Sequence, residues 1–330
     1  NLSENIKSLG KEAFQGCLAL EALSLPNKLT KIEDAAFQNC QSLKKLAIPS
    51  SVTNLGNYLF AGCTALQELS LPLLNKENGF GFGQLFGEIT FESSREIKQI
   101  VQKDNIKTFF IPVSLEKVTI LKTNLTNGMF SNLNVHHLEI IEYTGDIGDY
   151  AFYNCGSLEN FVINSKTNAI GVNAFMLLNS LTDVSLPKTI KKVGKNAFNS
   201  CFDLQAVHLS ATFNQFNVED WYNCAQMREI TVDSNNATYE VIDGLLVNRP
   251  ENTIVFCPAG LTKKEIMLSD SIKAIGPMAF RDCPYLEKFT GNEQLVQIGD
   301  SAFQNCQKLN FFEVPLGIKR IGEKILEGCE

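Results

Sequence analysis

The chain has 330 residues, with 29 Lys and Arg against 36 Asp and Glu, and a net charge of −7. That balance argues against nucleic acid and against an acidic membrane surface as partners, since both select basic faces. No apolar run approaches the ~18 residues a bilayer-spanning helix needs, so no membrane insertion is expected within this chain.

The chain repeats. Residues 29–51, LTKIEDAAFQNCQSLKKLAIPSS, form a 23-residue unit that restarts at Val52 as VTNLGNYLFAGCTALQELSLP. Its apolar residues are Leu29, Ile32, Ala36, Phe37, Cys40, Leu43, Leu46 and Ile48. One copy cannot enclose them, whereas stacked copies bury them against each other. Anchored on the Phe of the Ala-Phe pair, the pattern recurs at Phe14, Phe37, Phe60, Phe86, Phe130, Phe152, Phe175, Phe198, Tyr222, Phe280, Phe303 and Leu326. This predicts a solenoid of about 12–13 units, mainly β with short helical or 3₁₀ turns. No linker divides it, so residues 1–330 are expected to form one domain.

Within a unit, the L-x-x-L-x-L piece (LKKLAI, LQELSL, LTDVSL) alternates out and in, as a short strand with one buried edge does. The prolines that follow (Pro26, Pro49, Pro72, Pro187, Pro315) lack an N–H and should end the ladder. The pairs Leu29 with Ile32, Ile190 with Val193 and Ile318 with Ile321 should form a second extended segment on the opposite wall. The A-F-x-x-C piece between is short enough for only one helical or 3₁₀ turn.

Residues 1–72 hold three regular units. Residues 73–130 are enlarged: the Ala-Phe element survives as Leu85-Phe86, followed by a polar insertion over 92–105. That insertion reads as a loop with one helical turn near Arg95 to Lys103, or as a protruding binding loop. Residues 135–140 (VHHLEI) resume the strand. In the next units Trp221-Tyr222 replaces Ala-Phe, which puts Trp221 where Ala normally sits, so it should distort the packing or point outward. A second variant unit covers about 233–277. There YEVIDGLLVNRPENTIVFCPAG reads as a strand from Val241 to Val247, a turn at Pro250, and a strand from Thr253 to Cys257. Regular units close the chain.

The pattern I-G-x-x-A-F-x-x-C-x-x-L-x-x-I-x-L-P, seen as IGDSAFQNCQKLNFFEVP and VGKNAFNSCFDLQAVHLS, resembles the BspA-like class of bacterial leucine-rich repeats. The resemblance covers nearly the whole chain. It implies a curved, right-handed leucine-rich-repeat domain of a secreted or surface-attached protein, in a family some of whose members adhere to host proteins. The chain opens in phase and stops just after a repeat cysteine, so an export signal and an anchor are expected to lie outside it.

The ten cysteines recur at the repeat spacing. They read as small buried hydrophobes whose parallel Cβ vectors suit a disulfide poorly. Cys257 is out of phase and Cys329 terminal, so these two could be exposed. His136, His137 and His208 do not converge on a metal. GFGFGQLFG lacks the strand and helix that a phosphate loop needs. No Ser/His/Asp or Cys/His set is found, so no cofactor, metal or catalytic residue is called and the chain is read as non-enzymatic.

Surface remains. One outward row on the expected concave sheet includes Lys45, Glu68, Lys117, His137, Asn160, Asp183, Glu229, Lys288 and Phe311. A second, mostly small, includes Ser70, Thr119, Glu139, Ser185, His208, Thr231, Thr290 and Glu313. The expected function is recognition of a host or bacterial surface protein through Lys45, Glu68, His137, Asn160, Asp183, Glu229, Lys288 and Phe311. The alternative is a carbohydrate or cell-wall glycan, held by the 73–105 insertion or by the basic stripe of Lys7, Lys31, Lys191, Lys192, Lys273, Lys319 and Arg320.

Overall fold

A computed structural model describes residues 2–74, 81–102, 105–159 and 161–329. The chain is a β-solenoid of about 13 turns of ~23 residues with almost no helix. It gathers into two compact units: Asn1–Phe161 with Ala169–Leu178, and Val162–Asn168 with Asn179–Glu330.

In the first unit the second apolar pair builds one parallel wall from Ser8–Leu9, Lys31–Ile32 and Asn54–Leu55, with Leu9, Ile32 and Leu55 in register and buried. The L-x-x-L-x-L pieces build the other wall: Lys45–Ala47, Glu68–Leu74, Lys117–Asn124, His137–Thr144 and Leu158–Glu159, all parallel. The second unit repeats this with Asp183–Leu186, Ala206–Leu209 and Glu229–Val232, and separately with Glu265–Met267, Lys288–Thr290 and Phe311–Glu313. Burial alternates along these strands, as in Asp183–Leu186 where Val184 and Leu186 are inside and Asp183 and Ser185 outside, so one side of each strand faces the core and the other faces solvent.

The A-F-x-x-C edge is two successive 3₁₀-type turns. Gln38 and Cys40 donate to the carbonyls of Ala35 and Phe37, three residues back, while Ala35, Phe37 and Asn39 donate to Asn57, Ala61 and Leu59 carbonyls in the next coil, the last two in the order Phe37 to Leu59 and Asn39 to Ala61. Alternate amides can turn outward because Ala35 (φ 56°) and Asn39 (φ 59°) are left-handed. That conformation costs roughly 1–2 kcal/mol for an L-residue, and the inter-coil hydrogen bonds hold it. The Phe between points inward and stacks on its equivalents: Phe14, Phe37 and Phe60 lie 5.6 and 5.9 Å apart, and Phe280 lies 4.8 Å from Phe303. Burying each such ring stabilises the fold by about 1.5–3 kcal/mol. The Gly of I-G is set by the approach of the neighbouring coil. A Cβ on Gly56 would sit 2.3 Å from the Asp34 nitrogen, and the Asp34 carboxylate accepts from the Asn57 N–H at 2.7 Å.

Five local expectations are corrected. First, the 92–105 insertion is not a loop with a helical turn. Ser94–Gln102 is a strand paired antiparallel with Asn105–Pro112. Ile97, Gln99, Phe109 and Ile111 face inward, and Gln99 accepts from Gly83 N–H (2.7 Å) and donates to the Met129 and Ser131 carbonyls (3.1 and 3.3 Å). Second, Pro72 does not end its strand. Leu71 and Leu73 pair with Ile120 and Lys122 on either side of it, so its missing N–H falls between ladder positions.

Third, Trp221 is 2% exposed and takes the Phe place rather than the Ala place, stacked 4.4 Å from Phe198. Tyr222 turns outward under Arg281, whose guanidinium lies 4.6 Å from its ring centroid. Fourth, no strand runs from Val241 to Val247. Asp243 (φ 55°) and Gly244 (φ 84°) make a tight turn there, of the kind Asp-Gly favours. It joins Tyr239–Ile242 to Leu245–Asn248, which pairs antiparallel with Thr253–Phe256. Fifth, Cys257 is in phase and buried. It stands 23 residues before Phe280, and its N–H donates to the Ala279 carbonyl as that of Phe14 does to Ala36, so a thiol fills a phenylalanine place.

Candidate interaction surface

The outward strand rows form in register. In the first unit Lys45, Glu68, Lys117 and His137 are successive ladder partners, as are Ser70, Thr119 and Glu139. Lys45 donates to Glu68 across the ladder at 2.5 Å, and Lys122 meets Glu142 at 3.7 Å. Asn160 lies outside the described residues. In the second unit Asp183, Ala206 and Glu229 align, as do Ser185, His208 and Thr231, with His208 Nδ1 2.9 Å from Thr231 Oγ1. A separate sheet carries Glu265, Lys288 and Phe311 in one row and Met267, Thr290 and Glu313 in the next.

Exposed ion pairs of this kind contribute about 0–1 kcal/mol each. Two of them join adjacent coils: Glu68 meets Lys45, and Glu287 meets Lys264 at 2.9 Å. Glu229 has no cation partner among the described residues. At the last sheet Lys288 lies over the Phe311 ring, 5.1 Å from its centroid, while Phe311 is 43% and Met267 76% exposed. Glu265 and Met267 were not reached by sequence reasoning. Their signal was present: Glu265 precedes Lys288 by one 23-residue period. The variant unit between has no Ala-Phe pair to anchor the count.

No three His, Cys, Asp or Glu side chains gather as metal ligands among the described residues. The cysteines are free thiols; Cys17 is exposed, Cys329 half-buried and the other eight buried. Burial pushes the Cys63, Cys155 and Cys224 thiols up to about 12, which keeps them protonated and poorly nucleophilic. Their S–H groups point to carbonyls of the preceding coil, Cys63 to Phe37 at 3.1 Å. On the basic stripe, Lys31 is tied to Glu33 at 2.6 Å. No helix among the described residues is long and apolar enough to cross a membrane.

Comparison with known proteins agrees with this architecture. The family model for the BspA type leucine rich repeat region matches in six copies over residues 1–110, 123–241 and 255–330. No curated protein matches the chain. Among solved structures, a leucine rich cell surface protein from Faecalibacterium prausnitzii is 21% identical, with 91% of this chain and 69% of that one covered and a TM-score of 0.52. A leucine-rich repeat protein from Bacteroides ovatus is also 21% identical, with 100% and 70% covered and a TM-score of 0.47. With 23-residue coils, stacked phenylalanines and a family model matched along nearly its whole length, the chain belongs to the BspA-type leucine-rich repeat family.

Proposed function

We propose that the chain is a non-enzymatic recognition and adhesion module, displayed outside the cell, that binds a protein partner across its strand wall. The observation that carries this reading is the sheet of Glu265–Met267, Lys288–Thr290 and Phe311–Glu313, where an exposed aromatic, an exposed thioether and a cation stacked on the aromatic share one rigid face. Aromatic residues and Met are enriched at protein interfaces, and a few such anchors carry most of the binding energy. The family supports an interaction role, and the Faecalibacterium protein of the same fold is described as a cell surface protein.

The test is saturable capture of purified extracellular-matrix and bacterial surface proteins on the immobilised chain, with a glycan array alongside. Phe311→Ala and Lys288→Ala are each expected to weaken capture about tenfold or more with unchanged far-UV circular dichroism. Unchanged affinity after both substitutions refutes the surface assignment. Binding to glycans alone replaces the protein partner with a carbohydrate and moves attention to the insertion and the basic stripe.

A further inference from the structure

Two places after its buried ring, a coil carries an edge residue that links it to the next coil. Asn154 Nδ2 donates to Asn132 Oδ1 at 2.8 Å, Asn305 Nδ2 to Asp282 Oδ1 at 2.8 Å, and Asn223 Nδ2 to Ser200 Oγ at 3.2 Å. Asn39 holds the same position but differs. Its neighbours in the column, one 23-residue period to either side, are Gly16 and Gly62, which have no side chain to answer it. The Asn39 carboxamide lies over Gly62, where a Cβ would collide with its Oδ1. Among the described residues it has no hydrogen-bond partner.

The enlarged unit closes this place into a cleft of about 310 Å³, at the small end of the range of ligand sites. Its floor is Asn39 and Gln41 of one coil with Gly62 and Thr64 of the next, at equivalent repeat positions. Its overhang is Phe91, Glu92 and Ser93, in the turn before Ser94–Gln102. Hydrogen bonds fix that turn. The Ser94 N–H and Oγ both donate to the Phe91 carbonyl, at 3.1 and 2.6 Å, and the Val113 N–H donates to the Ser93 carbonyl at 2.8 Å. At the far end of the hairpin's return strand, Ser114 Oγ shares its proton between the Thr64 and Leu66 carbonyls, both at 2.8 Å. The overhang is thereby tied to the same coil that supplies part of the floor.

We propose that this cleft binds a neutral saccharide ring. The side chains of Asn39, Gln41, Glu92 and Ser93 line one space and hold no hydrogen bond or ion pair with another described residue. Their chemistry is mixed. Each carboxamide both donates and accepts, the serine hydroxyl does both, and the carboxylate only accepts. A pyranose asks for that mixture, because each of its hydroxyls donates and accepts beside another. Phe91 is half-buried at the cleft, and its ring offers an apolar face to the C–H side of a sugar. Glu92 is the one charged side chain among the described residues that line the cleft, so a phosphate or carboxylate meets no cation there. The site shares no residue with the Phe311 surface and adds a second class of ligand to the protein partner proposed above.

The probes are the methyl glycosides of glucose, galactose, mannose and N-acetylglucosamine, titrated against the whole chain by saturation-transfer-difference NMR. At least one is expected to bind saturably, with a Kd on the order of 0.1–10 mM. The uronic acid form of the best binder is expected to bind about fivefold or more weakly. Asn39→Gly copies Gly16 and Gly62 and so tolerates the left-handed backbone of Asn39 (φ 59°); Glu92→Ala changes an exposed side chain. Each is expected to weaken binding by about fivefold or more, with unchanged far-UV circular dichroism. Phe311→Ala is expected to leave it unchanged. No saturation by any of these sugars up to about 20 mM, parent affinity in both cleft variants, or equal binding of the uronic acid each overturns the proposal. Loss of sugar binding in Phe311→Ala also overturns it, since the sugar then sits on the other surface. The broader reading fails separately: sugar binding without capture of a protein removes the Phe311 surface alone, and capture without sugar binding removes the cleft alone.

Discussion

Trp221 lies face to face on Phe198, with ring centroids 4.4 Å apart and planes 7° from parallel. The two are one 23-residue period apart, so the indole occupies a place in the phenylalanine column. Phe216 stacks on it at 6.0 Å. The chain has one tryptophan, and its emission therefore reports on this layer of the second unit.

Removing the ring beneath it opens a dry cavity that the flanking coils cannot close, because each is pinned by its own inter-coil hydrogen bonds. Phe198→Ala is expected to cost about 3–5 kcal/mol. Denaturant unfolding followed by Trp221 fluorescence measures this, and a midpoint within error of the parent would show that Phe198 does not support the column.

Two glycines at the same repeat position separate backbone approach from backbone freedom. A Cβ on Gly56 meets the Asp34 backbone at 2.3 Å, while one on Gly10 meets nothing within 4 Å. Gly56→Ala is expected to destabilise by about 1–3 kcal/mol. Gly10→Ala should be neutral or slightly stabilising, through the smaller freedom of the unfolded chain. Equal effects in a denaturant melt would contradict the stacking distance.

The thiols give a pH test. Burial raises Cys63, Cys155 and Cys224 to about 12 from an ordinary value near 9.0. In the folded chain they stay protonated while the unfolded chain ionises, so above about pH 9 the unfolded state holds fewer protons and stability falls as pH rises. The stability these groups contribute is complete below that pH and declines toward pH 12. In parallel, a thiol reagent at pH 8 should modify exposed Cys17 first and the buried thiols only on denaturation; rapid modification of Cys63 in the native protein would refute the burial argument.

The coil was legible in the sequence because every turn buries the same positions, and a repeated burial demand leaves a repeated residue. Register followed from the period, and so the outward rows at Lys45, Glu68 and Lys288 could be written down before any coordinates. What escaped were places where the residue facing inward is not the type the repeat usually puts there. Gln99 hides the alternation of Ser94–Gln102, and Cys257 hides the phenylalanine phase. At Trp221, matching aromatic to aromatic selected Tyr222 and shifted the count by one.

Asp220 is a buried carboxyl, 3% exposed, that accepts from the Asn196 N–H at 2.8 Å. Burial raises it to about 6 from 3.8. The folded state thus holds this proton more tightly than the unfolded state. Its contribution is fully present below about pH 4 and is lost as pH rises through 6. Asp220→Asn keeps an acceptor without the charge. It is expected to raise stability at pH 7 by on the order of 1 kcal/mol relative to its effect at pH 4. An identical difference at both pH values would show that the carboxyl ionises freely.

The enlarged unit depends on one amide. Gln99 is fully buried and satisfies three backbone groups, of Gly83, Met129 and Ser131. Leaving a buried polar group unsatisfied costs about 1–3 kcal/mol. Gln99→Glu is the sharper test than Gln99→Ala: it preserves size and the acceptor for Gly83, but it removes both donated bonds and buries a charge. It should therefore destabilise by more than about 3 kcal/mol at pH 7 and by less at pH 4, where a protonated carboxyl can donate once. Because Ser94–Gln102 is joined to the rest of the first unit through this side chain and through Asn132, which donates to the Lys98 carbonyl at 2.6 Å, amide exchange should accelerate across that hairpin before the regular coils respond. Uniform acceleration throughout the unit would mean that the hairpin is no separate cooperative element.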